Sequence, residues 1–150
     1  MKKEKIKNII ISILIPIILG AIVSFIISFS MKSFDNLNKP PLNPPKILFP
    51  IFWTIFYILM GISHYLTKND EESNKIYYKQ LIVNLLWSII FFTLKLRLLA
   101  FLWILLLICL IIKMIITFKK ENKTAAYLQI PYLIWVIFAT YLNLGLYILN

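Results

Sequence analysis

Lys39-Pro40-Pro41-Leu42-Asn43-Pro44-Pro45-Lys46-Ile47-Leu48-Phe49-Pro50 runs without a break into Ile51-Phe52-Trp53-Thr54-Ile55-Phe56-Tyr57-Ile58-Leu59-Met60-Gly61. A proline knuckle leads into an aromatic-rich apolar segment. Of the seven prolines in the chain, all but Pro16 and Pro131 fall here. Each fixes its own φ and pushes the preceding residue towards extended geometry. The stretch therefore predicts a stiff, shaped lid over residues 32–46, with Pro40, Pro41, Pro44 and Pro45 setting its form. A helix follows from about Ile47, and the lid sits at the mouth of whatever that helix helps to enclose.

Composition identifies the solvent. Of 150 residues, 61% are hydrophobic, and the mean hydropathy is +0.84. Ordinary soluble domains are roughly 45–50% apolar, so this chain has more apolar surface than a water-soluble core can hide. Five apolar runs cover Ile6–Met31, Ile47–Leu66, Tyr78–Leu94, Leu98–Phe118 and Ala125–Leu149. Each reaches or approaches the ~20 residues that cross ~30 Å of hydrocarbon. Backbone groups in lipid must be satisfied internally, which leaves helices or a closed barrel. The runs are continuous rather than alternating, and this excludes the barrel. The expected fold is all-α and integral to the membrane, a five-transmembrane-helix bundle forming one domain over 1–150. The first run is longer than the apolar region of a secretory leader and lacks a small-residue cleavage site, so it is read as a retained span. Lys113 lies near the end of the fourth run. An ammonium at the bilayer centre costs ~2.5–3.5 kcal/mol, but from there it can snorkel to the headgroups.

The net charge of +10 does not point to nucleic acid, because the cations lie between the apolar runs and not along one helical face. Lys2, Lys3, Lys5, Lys7, Lys68, Lys75, Lys79, Lys113, Lys119, Lys120 and Lys123 fall on one side of the membrane. Lys32, Lys39, Lys46, Lys95 and Arg97 fall on the other. The excess of cations predicts a cytoplasmic N-terminus, with the lid and C-terminus opposite. Lys68-Asn69-Asp70-Glu71-Glu72-Ser73-Asn74-Lys75 reads as a solvated loop. Lys95-Leu96-Arg97 makes a tight hairpin of the third and fourth spans. Short connections of this kind force neighbouring helices antiparallel. Cys109 is alone in mid-helix, so no disulfide framework exists.

Helical spacing sorts the remaining residues into faces. Trp53, Tyr57, Met60, Gly61 and His64 share one stripe of the second span. Asn84, Trp87, Ser88 and Phe91 share one in the third. Pro131, Trp135, Phe138, Ala139 and Leu142 share one in the fifth, with Asn143 alongside. Pro16, Gly20 and Ser24 give the first span a small-residue face that admits a close neighbour. Any one stripe is explained by packing alone, and Asn84 and Asn143 by interhelical hydrogen bonding. Three spans that each carry a Trp beside a polar group, under a proline lid, describe a chamber for a flat apolar ligand. His64 is the only histidine. It is read as an interfacial residue rather than an iron ligand, since no Cys pair or carboxylate cluster supports a metal site. No carboxylate lies within a span, which argues against ion-coupled transport. No Ser-His-Asp set, phosphate loop or zinc-protease motif occurs.

The same residues resemble the TspO/MBR family of translocator and tryptophan-rich sensory proteins. Lys39-Pro40, Pro44-Pro45, Phe49-Pro50, Trp53-Thr54, Tyr57 and Met60-Gly61 are similar to its first loop and second helix. Gln80-Leu81, Asn84, Leu86-Trp87-Ser88 and Phe91-Phe92 are similar to its third. Ala125-Ala126, Leu128, Pro131-Tyr132, Trp135, Phe138-Ala139, Leu142-Asn143 and Asn150 are similar to its fifth. The resemblance implies a five-helix bundle, commonly a homodimer, that binds porphyrin or haem as ligand and needs no cofactor or metal. It implies a pocket lined by Trp53, Tyr57, Asn84, Trp87, Ser88, Phe91, Trp135, Phe138, Ala139 and Leu142. It also carries two alternatives. One is light- and oxygen-dependent porphyrin breakdown, with Trp53 and Trp135 as the redox-active pair. The other is transport of a tetrapyrrole or lipid. Ser33 and Phe34 stand where the family's first loop carries Trp-Tyr, Tyr147 lacks a following basic residue for sterol recognition, and the family's small-residue dimer face is reduced to Ala100.

Overall fold

The computed structural model describes residues 1–150. Seven α-helices follow one another: α1 (Lys2–Ser28), α2 (Met31–Asp35), α3 (Leu48–Thr67), α4 (Glu71–Ser88), α5 (Arg97–Glu121), α6 (Lys123–Tyr127) and α7 (Ile130–Leu149). Five helical stretches are long and apolar enough to cross a membrane. They are α1, α3, α4 with its π-helical extension, α5, and α6 with α7. The chain is a multi-pass integral membrane protein and contacts the lipid bilayer. Large side chains such as Ile18, Phe25, Ile116 and Ile134 lie exposed along the outside, where hydrocarbon and not water surrounds them.

The helices close into a ring. α1 packs along α3, α4 packs on α5, α5 on α7, and α1 returns to α4. Between α3 and α7 large rings fill the gap. Phe52 lies 4.9 Å and Phe56 6.2 Å from Trp135, centroid to centroid. The α1–α3 crossing is the tightest. A Cβ on Gly61 would collide with backbone atoms of Ile13 and Ser12. Pro16 lacks the N–H that would bond the carbonyl of Ser12, and that carbonyl abuts Gly61. A Cβ on Gly20 would lie 2.5 Å from the Tyr57 ring.

Element boundaries depart from the sequence reading in four places. The third span begins at Glu71 and not at Tyr78, so most of the expected loop at 68–75 is helix. Asp70 caps that helix, accepting from the Ser73 amide at 3.0 Å and hydroxyl at 2.8 Å, which satisfies an otherwise orphaned N–H. The helix of the first run stops at Ser28, and its last residue, Met31, starts the single turn α2, which carries on into the lid to Asp35, so the lid is not wholly extended chain. α4 continues as a π-helix over Ile89–Thr93, with the Leu94 amide reaching the Ile89 carbonyl at 2.9 Å. The fifth run is two helices, broken at Leu128 and Gln129. Asn122 caps α6 through the Ala125 amide at 3.0 Å, and Pro131 lies in the first turn of α7, where its missing N–H costs nothing. Ala100 is fully buried inside the chain's own bundle and presents no surface to a second copy.

The lid is fastened to the end of α7. Pro40 packs onto Gly145, where an added Cβ would lie 2.7 Å from the proline ring. The Asn38 amide donates to Asn150 Oδ1 at 3.0 Å, and Asn150 Nδ2 donates back to the Asn38 carbonyl at 2.9 Å. The Tyr141 hydroxyl donates to the Pro41 carbonyl at 2.6 Å. A turn closes from Pro40 to Asn43 with Leu42 at φ 68°, a left-handed conformation that Leu rarely adopts.

Candidate functional site

A cavity of 730 Å³ lies between α1, α3, α4 and α7 beneath α2 and the last lid residues. α3 contributes Trp53, Thr54 and Tyr57, with Phe49 and Pro50 at the rim. α4 contributes Trp87 and Ser88, and the π-helix adds Phe92. α7 contributes Trp135 and Ala139. The small residues Gly20, Ala21 and Ser24 of α1 line the opposite wall. Small side chains there leave the space that aromatic walls on the other three helices would otherwise close.

Six of the ten pocket residues expected from sequence line the cavity: Trp53, Tyr57, Trp87, Ser88, Trp135 and Ala139. The other four lie behind the wall. Asn84 is 1% exposed and its amide is hydrogen-bonded through both its oxygen and its nitrogen. It accepts from the Tyr57 hydroxyl at 3.0 Å and donates to the Tyr132 hydroxyl at 2.7 Å. Tyr132 in turn donates to Gln80 Oε1 at 2.9 Å. This network joins α3, α4 and α7 under the chamber and fixes the hydroxyl of Tyr57, whose ring packs against Gly20. Phe91 stacks behind Trp87 at 5.2 Å and receives the Arg97 guanidinium on its face at 5.3 Å. Phe138 packs between Trp135 and Tyr141, and Leu142 is in the core.

The π-helix accounts for the Phe91 difference. One extra residue in the turn shifts everything after Ser88 by about one position, so Phe92 takes the place that α-helical spacing assigns to Phe91. Nothing in Ile89-Ile90-Phe91-Phe92-Thr93 announces that turn. Phe34 was also missed as a lining residue. It belongs to α2, is 6% exposed, and packs edge-on to Phe92 at 5.1 Å. Its signal was available, since the resemblance read from the sequence implies aromatic residues at positions 33 and 34. Pro40, Pro41, Pro44 and Pro45 do not reach the cavity. Pro40 and Pro41 brace the lid against Gly145 and Tyr141 of α7, the Pro45 carbonyl accepts from the Leu48 amide at the start of α3, and Lys46 and Ile47 bring the lid's end to the rim.

The indoles differ in their partners. Trp87 Nε1 donates to Asn143 Oδ1 at 3.0 Å, and Asn143 Nδ2 donates to the Arg97 carbonyl at 2.9 Å. Trp103 lies outside the chamber and donates to the Val83 carbonyl at 2.9 Å. Trp135 Nε1 is buried with no acceptor in the protein, a costly state for a donor shielded from water. His64 is remote from the chamber. Its Nε2 meets Asn74 Oδ1 at 2.6 Å, and its ring stacks on Tyr77 at 4.3 Å. It ties α3 to α4, and no group of three or more His, Cys, Asp or Glu side chains gathers anywhere in the structure.

Architecture and site together define a class: a multi-pass helical membrane protein with an aromatic-walled, lidded chamber. Comparison with known proteins gives the family. A profile of the TspO/MBR family matches residues 12–149. The tryptophan-rich protein TspO of Chlorobaculum tepidum is 37% identical over 124 residues, 78% of either chain. The protein of the same name from Archaeoglobus fulgidus is 36% identical over 122 residues, 78% of this chain and 79% of its own. The tryptophan-rich sensory protein of Cereibacter sphaeroides is 35% identical over 113 residues, 73% of this chain and 72% of its own. The chain belongs to the TspO/MBR family.

Proposed function

We propose that this protein binds tetrapyrroles, such as porphyrin or haem, or similar flat apolar molecules within the membrane, and serves as a receptor or sensor for them. The observation that carries the reading is the chamber itself. Its 730 Å³ falls within the roughly 300–1,000 Å³ of small-molecule sites. Three indoles on three helices face it, and aromatic walls suit planar π-systems. A relative bearing the name sensory protein points the same way. The N-terminus lies in the cytoplasm in this reading, on the strength of the cation excess at that end of the bundle.

Titration of the purified protein with protoporphyrin IX, followed by absorbance and tryptophan quenching, tests the proposal. Saturable binding is expected. In the Trp53→Ala, Trp135→Ala double variant the affinity falls by about tenfold, since aromatic pairs contribute about 0.5–1.5 kcal/mol each beyond their buried area. Unchanged affinity removes the pocket assignment.

The presence of both Trp53 and Trp135 on the chamber wall supports a second reading, light- and oxygen-dependent breakdown of the bound porphyrin. Illuminated samples of Trp53→Phe and Trp135→Phe would then retain binding and lose product. Equal product yields from the variants and the parent exclude it.

A further inference from the structure

We infer that the chamber selects a ligand bearing a carboxylate at its rim, which Lys46 holds in exchange for Asp35. The inference rests on the chamber reading above and narrows it to a chemical class. Among the 21 residues lining the cavity, 14 are hydrophobic and Lys46 alone is charged. The remaining polar groups are mainly neutral hydroxyls, such as those of Thr54 and Ser88. An apolar body thus enters a site whose single ionic demand lies at one edge.

Lys46 is not locked in place. Its Nζ pairs with Asp35 Oδ2 at 2.9 Å, and the two side chains are 55% and 45% exposed. Ion pairs that open to solvent are weakly held and exchange readily. The neighbouring Lys39 does not compete for the incoming anion. Its Nζ is held by the carbonyls of Phe34, Asp35 and Leu37 at 3.5, 3.2 and 3.2 Å, and it lies over the Phe34 ring at 5.2 Å. One cation therefore remains available on the cavity lining, and its present partner is itself a carboxylate. A ligand carboxylate at the rim replaces Asp35 oxygen for oxygen. A phosphate would arrive with more charge and more acceptors than one ammonium can satisfy. A neutral ligand gains nothing from Lys46.

The test compares protoporphyrin IX with its dimethyl ester, two ligands of the same ring and different charge, in a neutral detergent. Parent, Lys46→Met and Asp35→Asn proteins are titrated with each. Both positions are exposed, so folding is retained, and thermal melting verifies it. The parent prefers the free acid. Lys46→Met weakens the acid by about three- to fivefold, the range of a half-exposed ion pair, and leaves the ester unchanged. Asp35→Asn moves the acid the other way, to tighter binding, and again spares the ester. If acid and ester bind alike in all three proteins, or shift together, the carboxylate assignment is overturned and the chamber reading stands. If neither porphyrin binds saturably to the parent, both readings fall.

Discussion

Two glycines show how close approach translates into stability. At Gly61 the obstruction to a Cβ is the backbone of Ile13 and Ser12, whereas at Gly20 it is the ring of Tyr57. A ring can tilt and a helix backbone cannot, so Gly61→Ala destabilises by about 1–3 kcal/mol, as overpacking does, and Gly20→Ala by less. Apparent Tm values in detergent check the order, and a reversed order would mean that the α1–α3 crossing is looser than described. Asn84 supplies a second case. Asn84→Leu orphans the buried hydroxyls of Tyr57 and Tyr132 on their Asn84 side, at about 1–3 kcal/mol where a group is left wholly unpaired. Tyr57→Phe, which removes donor and leaves one acceptor idle, costs less. Equal losses for the two variants would show that Asn84 is not the hub of the network. Much of the site was legible at this scale. Trp53, Tyr57, Trp87, Ser88, Trp135 and Ala139 stand on the wall where 3.6-residue spacing puts them. The same spacing cannot distinguish a residue that faces the void from one that braces it. Asn84 and Leu142 share the stripe yet lie behind it, because hydrogen bonding and packing claim them first.

Among the elements, the apolar runs revealed each span, while their ends depended on chemistry that hydropathy does not see. The run at Tyr78–Leu94 appeared short because Glu71, Glu72 and Lys75 are polar, yet these are good helix formers, and Asp70 with Ser73 writes the cap. Asp70→Ala should lower stability by about 1 kcal/mol. A loss confined to the first turns of α4 in amide exchange would locate the effect, and an unchanged melting curve with unchanged exchange would remove the cap. The π-helix at Ile89–Thr93 was not legible at all, since none of its five apolar and hydroxyl residues marks that turn. The lid was legible as stiff chain from its prolines, but its anchorage was not, because Asn38 and Asn150 are far apart in sequence. Asn150→Ala removes both bonds to Asn38, each contributing about 0.5–1.5 kcal/mol. Protease cleavage within 36–46 should quicken while the melting of the bundle barely moves. Unaltered cleavage would show that Pro40 on Gly145 suffices to hold the lid.

For the whole molecule, five spans follow from hydropathy because the bilayer admits so few alternatives. The ring order does not follow from hydropathy, since it depends on which small and large side chains meet. α1 illustrates the division of labour: its outer face is Ile and Phe exposed to lipid, and its inner face is Gly20, Ala21 and Ser24 along the chamber. The central claim is that the space those small residues leave, facing Trp53, Trp87 and Trp135, is where a planar ligand rests. The indole N–H resonances of the four tryptophans, recorded by NMR in micelles before and after adding protoporphyrin IX, test it directly. A porphyrin ring current acts over short range, so the signals of Trp53, Trp87 and Trp135 should shift strongly while that of Trp103, which lies outside the chamber, stays close to its starting position. A shift confined to Trp103, or small equal shifts at all four, would place the ligand on the lipid-facing surface and contradict the account.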